Sequence, residues 1–170
     1  MPNYADNVLE IKGPKKEIQK VKDKLRIKTV DGDNISPAFM NTFFPRPKTE
    51  DKNWYEWNIK HWGVKWDVDA QIEVYEDEEL RFYFQSAWSG PINFVGALAE
   101  NFPNVCIFLH TDSVESNFSH MMLVKGKYTI RERYDEGITT NDWPESKYID
   151  MSIFDEDVTV TFFPVEDKND

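Results

Sequence analysis

The chain has 170 residues, 40% of them apolar and 15% aromatic, which is enough for one domain with a sizeable core and excludes a disordered chain. The formal net charge is −11, so a surface that grips phosphates over its whole extent is disfavoured. The longest unbroken apolar run covers only residues 105–109, far short of the roughly 20 that a membrane-spanning helix needs, and residues 1–7 lack the basic and apolar parts of a secretory signal.

The first predicted elements are a strand and a helix. Residues 8–12 alternate between apolar and polar side chains and end at Gly13, which is typical of a strand. Gly13-Pro14 then predicts a helix start, because proline is favoured at the first helical position. Ile18, Val21 and Leu25 follow at helical spacing and predict the face that packs on the core.

Residues 29–66 are predicted to form an irregular insertion rich in proline and tryptophan. Residues 29–34 have turn-forming composition, and Pro45 and Pro47 exclude regular helix or central strand around them. Residues 53–62 predict a short helix in which Asn53 and Glu56 form a capping box. Gly63 stands where a helix-terminating glycine is expected.

Residues 70–110 predict a hairpin, a second helix and a fourth strand. The hairpin joins residues 70–75 to residues 80–85, and the helix starts after Pro91 with Val95, Leu98 and Phe102 facing the core. Residues 105–109 alternate again as a strand. The element order over residues 6–110 predicts an α+β fold of the ferredoxin-like βαββαβ type, with an antiparallel sheet and two helices on one face.

Residues 111–170 are predicted to be an acidic β extension of the same domain. Alternating apolar residues within 121–134, 148–154 and 158–163 predict further strands that extend the sheet or cover part of it. The expected organisation is therefore a core at 1–110, with its insertion at 29–66, and the extension at 111–170.

Four segments, in order, resemble a known family. They are Met1-Pro2-Asn3 with Asn7, Leu9, Ile11 and Gly13-Pro14; Phe43-Phe44-Pro45-Arg46-Pro47; residues 57–67, which contain Trp62-Gly63-Val64-Lys65-Trp66-Asp67; and residues 84–91, which contain Ala87-Trp88-Ser89-Gly90-Pro91. Together they resemble the YubB-type ferredoxin-like domain family of bacteriophages, plasmids and other mobile elements, over roughly residues 1–110. Val64 replaces the family's usual threonine, and Gly90 replaces a usual proline.

The resemblance implies a ferredoxin-like fold, a mobile-element origin and a location in the cytoplasm of a bacterial host. It transfers no catalytic residue, because the family is largely uncharacterised. Despite the fold's name it implies no iron–sulfur cluster, since such clusters take about four ligands and the chain has one cysteine.

The residues that could carry catalysis or hold a metal do not form a recognisable pattern. Cys106 lies inside the apolar run and is expected to be a buried core thiol. His61, His110 and His120 lack the spacing of a helical metal site, and the sequence contains neither a nucleophile elbow nor a phosphate-binding glycine loop. We therefore expect no catalytic residue, no metal, no cofactor and no enzymatic activity.

Four of the six tryptophans lie between residues 54 and 66, and two roles are open to them. The rings either cap the core beneath the insertion or form a stacking platform for a ligand, and the candidate binding residues are Trp62, Lys65, Trp66, Asp67 and Trp88. Lys65 and Asp67 form either an ion pair or a ligand clamp. We expect a mainly structural role, with Gly63 at positive φ, Trp66 at least half buried, and a cost of about 3–5 kcal/mol for Trp66→Ala.

The charge is unevenly placed along the chain. Residues 1–66 carry 13 basic and 9 acidic side chains, a net of +4, whereas residues 135–170 carry 2 basic and 11 acidic side chains, a net of −9. The acidic region is either a solvated tail or a docking face, and the candidate docking residues are Asp135, Glu136, Asp142, Glu145, Asp155, Glu156 and Asp157.

The function that these patterns favour is a non-enzymatic binding protein of a mobile element. It would act on a host protein with a basic surface, such as defence or nucleic-acid-handling machinery, through the acidic face. Direct nucleic-acid binding is disfavoured by the net charge. The alternative is binding of a single-stranded nucleic acid or a small ligand through residues 54–66.

Overall fold

The computed structural model describes residues 3–113, 118–126 and 128–135, which form an α+β fold. An antiparallel sheet of eight strands runs through these residues in the order β2-β3-β4-β5-β1-β6-β7-β8. The strands are β1 (Tyr4–Lys12), β2 (Lys28–Val30), β3 (Asp33–Ser36), β4 (Ala70–Tyr75), β5 (Glu79–Ala87), β6 (Cys106–Ser113), β7 (Phe118–Lys125) and β8 (Tyr128–Asp135). The helices are α1 (Lys15–Lys22), α2 (Phe39–Phe43), α3 (Trp54–His61) and α4 (Ile92–Asn101), with a 3₁₀ helix at Lys48–Asn53 before α3.

The antiparallel sheet and the two helices that follow Pro14 and Pro91 confirm the α+β prediction. In the register of β1 with its neighbours, Leu9 lies opposite Phe82 of β5 and Leu109 of β6, and all three side chains are buried. Ile18 of α1 and Leu98 of α4 belong to the same buried cluster. Both helices therefore cover the same face of the sheet, as their apolar stripes predict.

The prediction of an irregular insertion at residues 29–66 is wrong for most of its length, because strands and helices occupy much of it. Residues 28–36 form the β2–β3 hairpin, which extends the sheet because β3 pairs with β4. Its turn is made by Asp31 and Gly32, both at positive φ (51° and 92°), the conformation that a two-residue hairpin loop requires. Every residue of β2 is exposed, so this strand carries no apolar alternation that sequence reasoning could detect.

Two local predictions also need correction. Asn53 makes no side-chain capping hydrogen bond, because the 3₁₀ helix leads straight into α3 and removes the free helix start that a capping box serves. The hairpin of β4 and β5 has the predicted strands, but its register shifts between Ile72 and Val74, so β4 does not keep one continuous apolar face.

The predicted extension of the sheet is confirmed where it can be compared. The alternation within residues 121–134 predicts strand, and these residues lie in the hairpin of β7 and β8. The hairpin turns at Gly126 (φ 57°) and adds two strands to the sheet beyond β6. The strands predicted at 148–163 lie outside the described residues. None of the helices in the described part of the chain is long and apolar enough to cross a membrane.

Candidate functional site

Residues of the connection between β3 and β4 line a cleft of about 350 Å³. We call it the tryptophan cleft. Its lining comes from α2, α3 and the segments beside them, and consists of Ala38, Asn41, Arg46, Trp54, Asn58, Trp62, Trp66 and Asp67. The lining therefore includes three of the four clustered tryptophans, and three of the five predicted binding residues, which are Trp62, Trp66 and Asp67.

Trp62 forms the buried floor of the cleft and is only 2% exposed. Its indole Nε1 donates a hydrogen bond to the carbonyl oxygen of Phe44 at 3.1 Å, and its ring packs edge-on against Trp57 with centroids 5.4 Å apart. A loop carbonyl thus satisfies the donor of this buried indole. Trp62 is thus a structural side chain that ties α3 to the loop after α2.

Gly63 ends α3 in the left-handed conformation, with φ 84°, as the sequence predicts. Its backbone N–H donates to the carbonyls of Asn58 and Ile59 at 3.1 Å each, which closes the helix. A Cβ at this position would lie 3.2 Å from the backbone nitrogen of Asn93 in α4. The glycine is therefore required both by its φ and by the close approach of α4.

Asp67 holds α2 in place and is not free to clamp a ligand. Its Oδ1 accepts hydrogen bonds from the backbone N–H groups of Met40 and Val68, and its Oδ2 accepts one from Asn41, all within 2.8–3.0 Å. Burial raises the pKa of this carboxyl above its usual value of 3.8, and the three backbone donors oppose that shift. Asp67 therefore caps the start of α2, where the first turn of a helix leaves N–H groups without internal partners.

Arg46 and Asn58 join the two sides of the cleft. Arg46 Nη1 donates to Asn58 Oδ1 at 3.1 Å, and Asn58 Nδ2 donates to the carbonyl of Lys65 at 2.8 Å. The backbone N–H of Arg46 donates to Asn41 Oδ1 at 3.0 Å. These polar residues were not singled out from the sequence, because they lie in three separate segments that only folding brings together.

The three tryptophans differ in how they meet the cleft. Trp54 is 37% exposed and Trp66 is at least half buried, as predicted, but keeps part of its surface accessible. Within the described residues neither indole N–H has a protein acceptor, whereas that of Trp62 is satisfied. Trp54 and Trp66 can therefore offer both a ring face and a hydrogen-bond donor to a bound molecule.

Lys65 links the cleft to a second aromatic side chain. Its Nζ lies 4.6 Å from the ring centroid of Trp66 and 5.3 Å from that of Trp88. No ion pair joins it to Asp67 in the described part of the chain, so the ion-pair alternative for these two residues is wrong. The structure thus brings Lys65, Trp66 and Trp88 together, and assigns Trp62 and Asp67 to structural roles in the cleft.

Trp88 has an unusual backbone conformation for a large side chain. It is 40% exposed and has φ 68°, and the N–H of Ser89 donates to the carbonyl of Ala87 at 2.9 Å across it. A hydrogen bond between residues two apart around a centre at positive φ defines the rare and strained kind of γ-turn. The tight segment between β5 and α4 thus places an indole on the surface beside Lys65.

A buried polar network supports this turn from beneath. Thr111 Oγ1 donates to Asn7 Oδ1 at 2.8 Å, Asn7 Nδ2 donates to Ser86 Oγ at 2.8 Å, and Ser86 Oγ donates to the carbonyl of Ser89 at 2.6 Å. A Cβ at Gly90 would collide with Thr111 Oγ1. The network and the missing side chain at residue 90 together fix the path of the chain around Trp88.

The polar face of the sheet, opposite the core, is occupied by its own ion pairs and hydrogen bonds. Arg81 Nε lies 3.0 Å from Glu10 Oε1, and the Tyr83 hydroxyl donates to Asp6 Oδ1 at 2.6 Å. This contact with Asp6, together with burial, raises the pKa of Tyr83. The arginine and the tyrosine of this face are therefore engaged by carboxylates.

The remaining candidate residues do not add to this site. Cys106 is buried, as predicted, and its burial raises the pKa of its thiol to about 12, which suppresses the reactive thiolate. The described residues contain no group of three histidine, cysteine, aspartate or glutamate side chains that could hold a metal ion. Among the acidic docking residues, Asp135 ends β8, whereas Glu136, Asp142, Glu145, Asp155, Glu156 and Asp157 lie outside the described residues.

Comparison of the chain with models of protein families, with characterised proteins and with solved structures finds no match. The resemblance to the YubB-type family accordingly stays a prediction. The assignment of a function rests on the geometry of the tryptophan cleft and of the side chains beside it.

Proposed function

We propose that this chain is a binding protein and that its ligand carries a flat ring with hydrogen-bond acceptors, held in the tryptophan cleft. One observation carries the proposal: Trp54 and Trp66 both line the cleft, and the indole N–H of each has no acceptor in the described part of the chain. A ring stacked on either indole gains contact area, and its acceptor atoms can meet these donors.

The size and chemistry of the cleft favour such a ligand. A volume of about 350 Å³ is at the lower end for small-molecule sites and suits one ring system with a substituent. The polar groups that line it include the guanidinium of Arg46 and the amide of Asn41. Asp67 also lines the cleft, but its carboxylate already accepts three backbone hydrogen bonds. Because Arg46 and Asn41 supply donors, an acceptor-rich ring such as a nucleobase monophosphate fits better than a cation.

The walls of the cleft are held rigidly before any ligand arrives. Asp67 fixes the start of α2, Trp62 ties α3 to the loop after α2, and Asn58 bridges Arg46 to the backbone of Lys65. Each hydrogen bond removes a motion that binding would otherwise have to freeze. A preorganised site of this kind loses less entropy when it binds a ligand.

The proposal can be tested by following the six tryptophan indole N–H signals in a ¹⁵N-correlated NMR spectrum during titration with thymidine monophosphate. We expect the signals of Trp54 and Trp66 to shift, and that of Trp62 to stay in place because its N–H is already bonded to Phe44. Trp54→Ala should weaken binding. Tyr75→Ala, which removes another exposed ring on β4, is the matched control and should leave binding unchanged. Absence of shifts at Trp54 and Trp66 would contradict the proposal.

We also propose that the four central strands form a ferredoxin-like core. The antiparallel order β4-β5-β1-β6, with α1 following β1 and α4 between β5 and β6, supports this assignment. The β2–β3 and β7–β8 hairpins would then be additions at the two edges. A mobile-element origin and a cytoplasmic location in a bacterial host belong to the same proposal, and the quoted sequence segments support them.

A second candidate function is docking on a host protein with a basic surface. The net charge of −9 over residues 135–170 supports it, because clustered acidic side chains steer a basic partner and speed its capture. The test compares proteins recovered from host lysate by the wild type and by a variant neutralised at residues 135–157. Recovery of the same proteins by both would remove this candidate.

A further inference from the structure

We propose that the tryptophan cleft continues into a second stacking position at Trp88, so that the bound molecule is a single-stranded oligonucleotide and not a mononucleotide. This inference rests on the proposed binding of a flat ring in the cleft. The feature that carries it is the shared position of Trp66, which lines the cleft and also contacts Lys65, whose Nζ lies 5.3 Å from the Trp88 ring.

The ammonium group of Lys65 contacts two aromatic rings, those of Trp66 and Trp88. The two distances from Lys65 Nζ place the ring centroids of Trp66 and Trp88 less than about 10 Å apart. A single strand repeats a flat base and a phosphate, so neighbouring bases can stack on the two indoles while a phosphate approaches Lys65 between them. A mononucleotide would leave one of these positions empty.

The backbone conformation of Trp88 also supports a second stacking position at this residue. Its φ of 68° is unfavourable for most residues other than glycine, and 40% of the residue remains exposed. Burial of the rest of the residue offsets this conformational cost, and the exposed part stays available for contact. Strain that the surrounding structure maintains at an exposed aromatic residue is typical of binding sites, and here the Asn7–Ser86–Thr111 network maintains it.

The net charge of −11 determines which interactions could supply the affinity for a single strand. The net charge gives no long-range attraction, so affinity must come from stacking and from the cations that the described residues place at the site. These are Lys65 and Arg46, the latter already 3.6 Å from the carboxylate of Asp51. Two phosphate contacts would give a salt slope of only about −1.4, since each contributes roughly −0.7 on a single strand. A shallow slope distinguishes this mode from binding to a basic surface. Duplex DNA, whose bases are already stacked, should bind poorly.

The experiment measures affinity by calorimetry for two probes, thymidine monophosphate and an oligothymidylate of about eight nucleotides. The wild type should bind the oligonucleotide at least roughly 5-fold more tightly than the monophosphate, and up to about 150-fold, the range for one added stack. Trp88→Gly should abolish this gain and leave the affinity for the monophosphate unchanged. Glycine adopts φ 68° without strain, so this variant should keep its fold, which circular dichroism and thermal melting check.

Two further variants sharpen the result. Lys65→Gln should reduce the magnitude of the salt slope by about 0.7 between roughly 50 and 200 mM salt. Tyr75→Ala is the matched control, because Tyr75 is also exposed and also has a lysine over its ring, with Lys22 Nζ at 4.3 Å. It should change neither affinity nor slope.

The outcomes separate this inference from the proposed function. If the wild type binds both probes equally, or if Trp88→Gly keeps the gain, the second position is refuted while the cleft proposal stands on its indole shifts. If neither probe binds and the indole signals of Trp54 and Trp66 stay in place, both proposals are refuted. If duplex DNA binds as tightly as the single strand, stacking on Trp88 is refuted as the source of the gain.

Discussion

Trp62→Phe is the substitution that best tests the assignment of structural and ligand-facing tryptophans. Trp62 is fully enclosed, and its indole N–H is satisfied by the carbonyl of Phe44. Phenylalanine keeps an aromatic ring next to the backbone but removes the N–H and the outer part of the indole. The variant therefore deletes one hydrogen bond and leaves a small void at the far end of the side chain.

The expected cost is about 2–3 kcal/mol in the free energy of unfolding. Loss of the hydrogen bond contributes about 1–2 kcal/mol, because the carbonyl of Phe44 is left without its partner. A void of roughly 40 Å³ adds about 1 kcal/mol at about 24 cal/mol per Å³. For a chain of this length the sum corresponds to a fall in melting temperature of roughly 4–12 °C.

The matched control is Trp66→Phe, which makes the same chemical change on the open wall of the cleft. Its indole N–H has no acceptor within the described residues, so we expect a loss below about 1 kcal/mol. Urea unfolding followed by circular dichroism gives both values. Equal losses for the two variants, or a larger loss at Trp66, would refute the assignment of Trp62 to the structure and Trp66 to the ligand.

Three further outcomes follow from particular contacts. Cys106, whose pKa is raised to about 12, should resist a thiol reagent at neutral pH until the chain unfolds. The free energy of unfolding should fall above about pH 9, because there the unfolded state loses the thiol proton and the folded state keeps it. Asp67→Ala should cost about 2–4 kcal/mol by leaving three backbone donors without an acceptor, and the Asp67 carboxyl should titrate above 3.8 in ¹³C NMR. Gly90→Ala should destabilise by about 1–3 kcal/mol in thermal unfolding, and Thr111→Ala in the same chain should recover part of this loss by removing the hydroxyl that collides with the new Cβ.

The central strands and their two helices could be predicted because burial imposes a period on the sequence. Leu9 and Ile11, or Phe82 and Phe84, alternate with side chains on the polar face, and that alternation is visible without any structure. The β2–β3 hairpin has no such signal, because both short strands lie mostly exposed at the edge of the sheet. The sequence signal for this hairpin is the pair Asp31-Gly32, which indicates a turn but does not indicate the strands on either side of it.

The candidate site was predictable in part for the same physical reason. Gly63 and Trp66 lie in one short segment, so the need for a positive φ and a packed ring could be deduced from neighbours. Arg46 and Asn58 come from separate elements, and their contact depends on how α2 and α3 pack. The sequence also placed the large stability cost at Trp66, whereas the enclosed indole is that of Trp62.

Trp88 links the stability of the core to the exposed surface in a way that composition alone does not suggest. A left-handed residue with a large side chain costs about 1–3 kcal/mol. Only 40% of Trp88 is exposed, so burial of the rest of the residue returns about 2–4 kcal/mol and offsets this cost. Glycine would form the same turn without strain but would lose that burial. The buried chain from Thr111 through Asn7 to Ser86 stabilises the turn and keeps the indole beside Lys65. Packing therefore accounts for the buried part of the ring, and the exposed part beside Lys65 is the surface on which a bound molecule can stack.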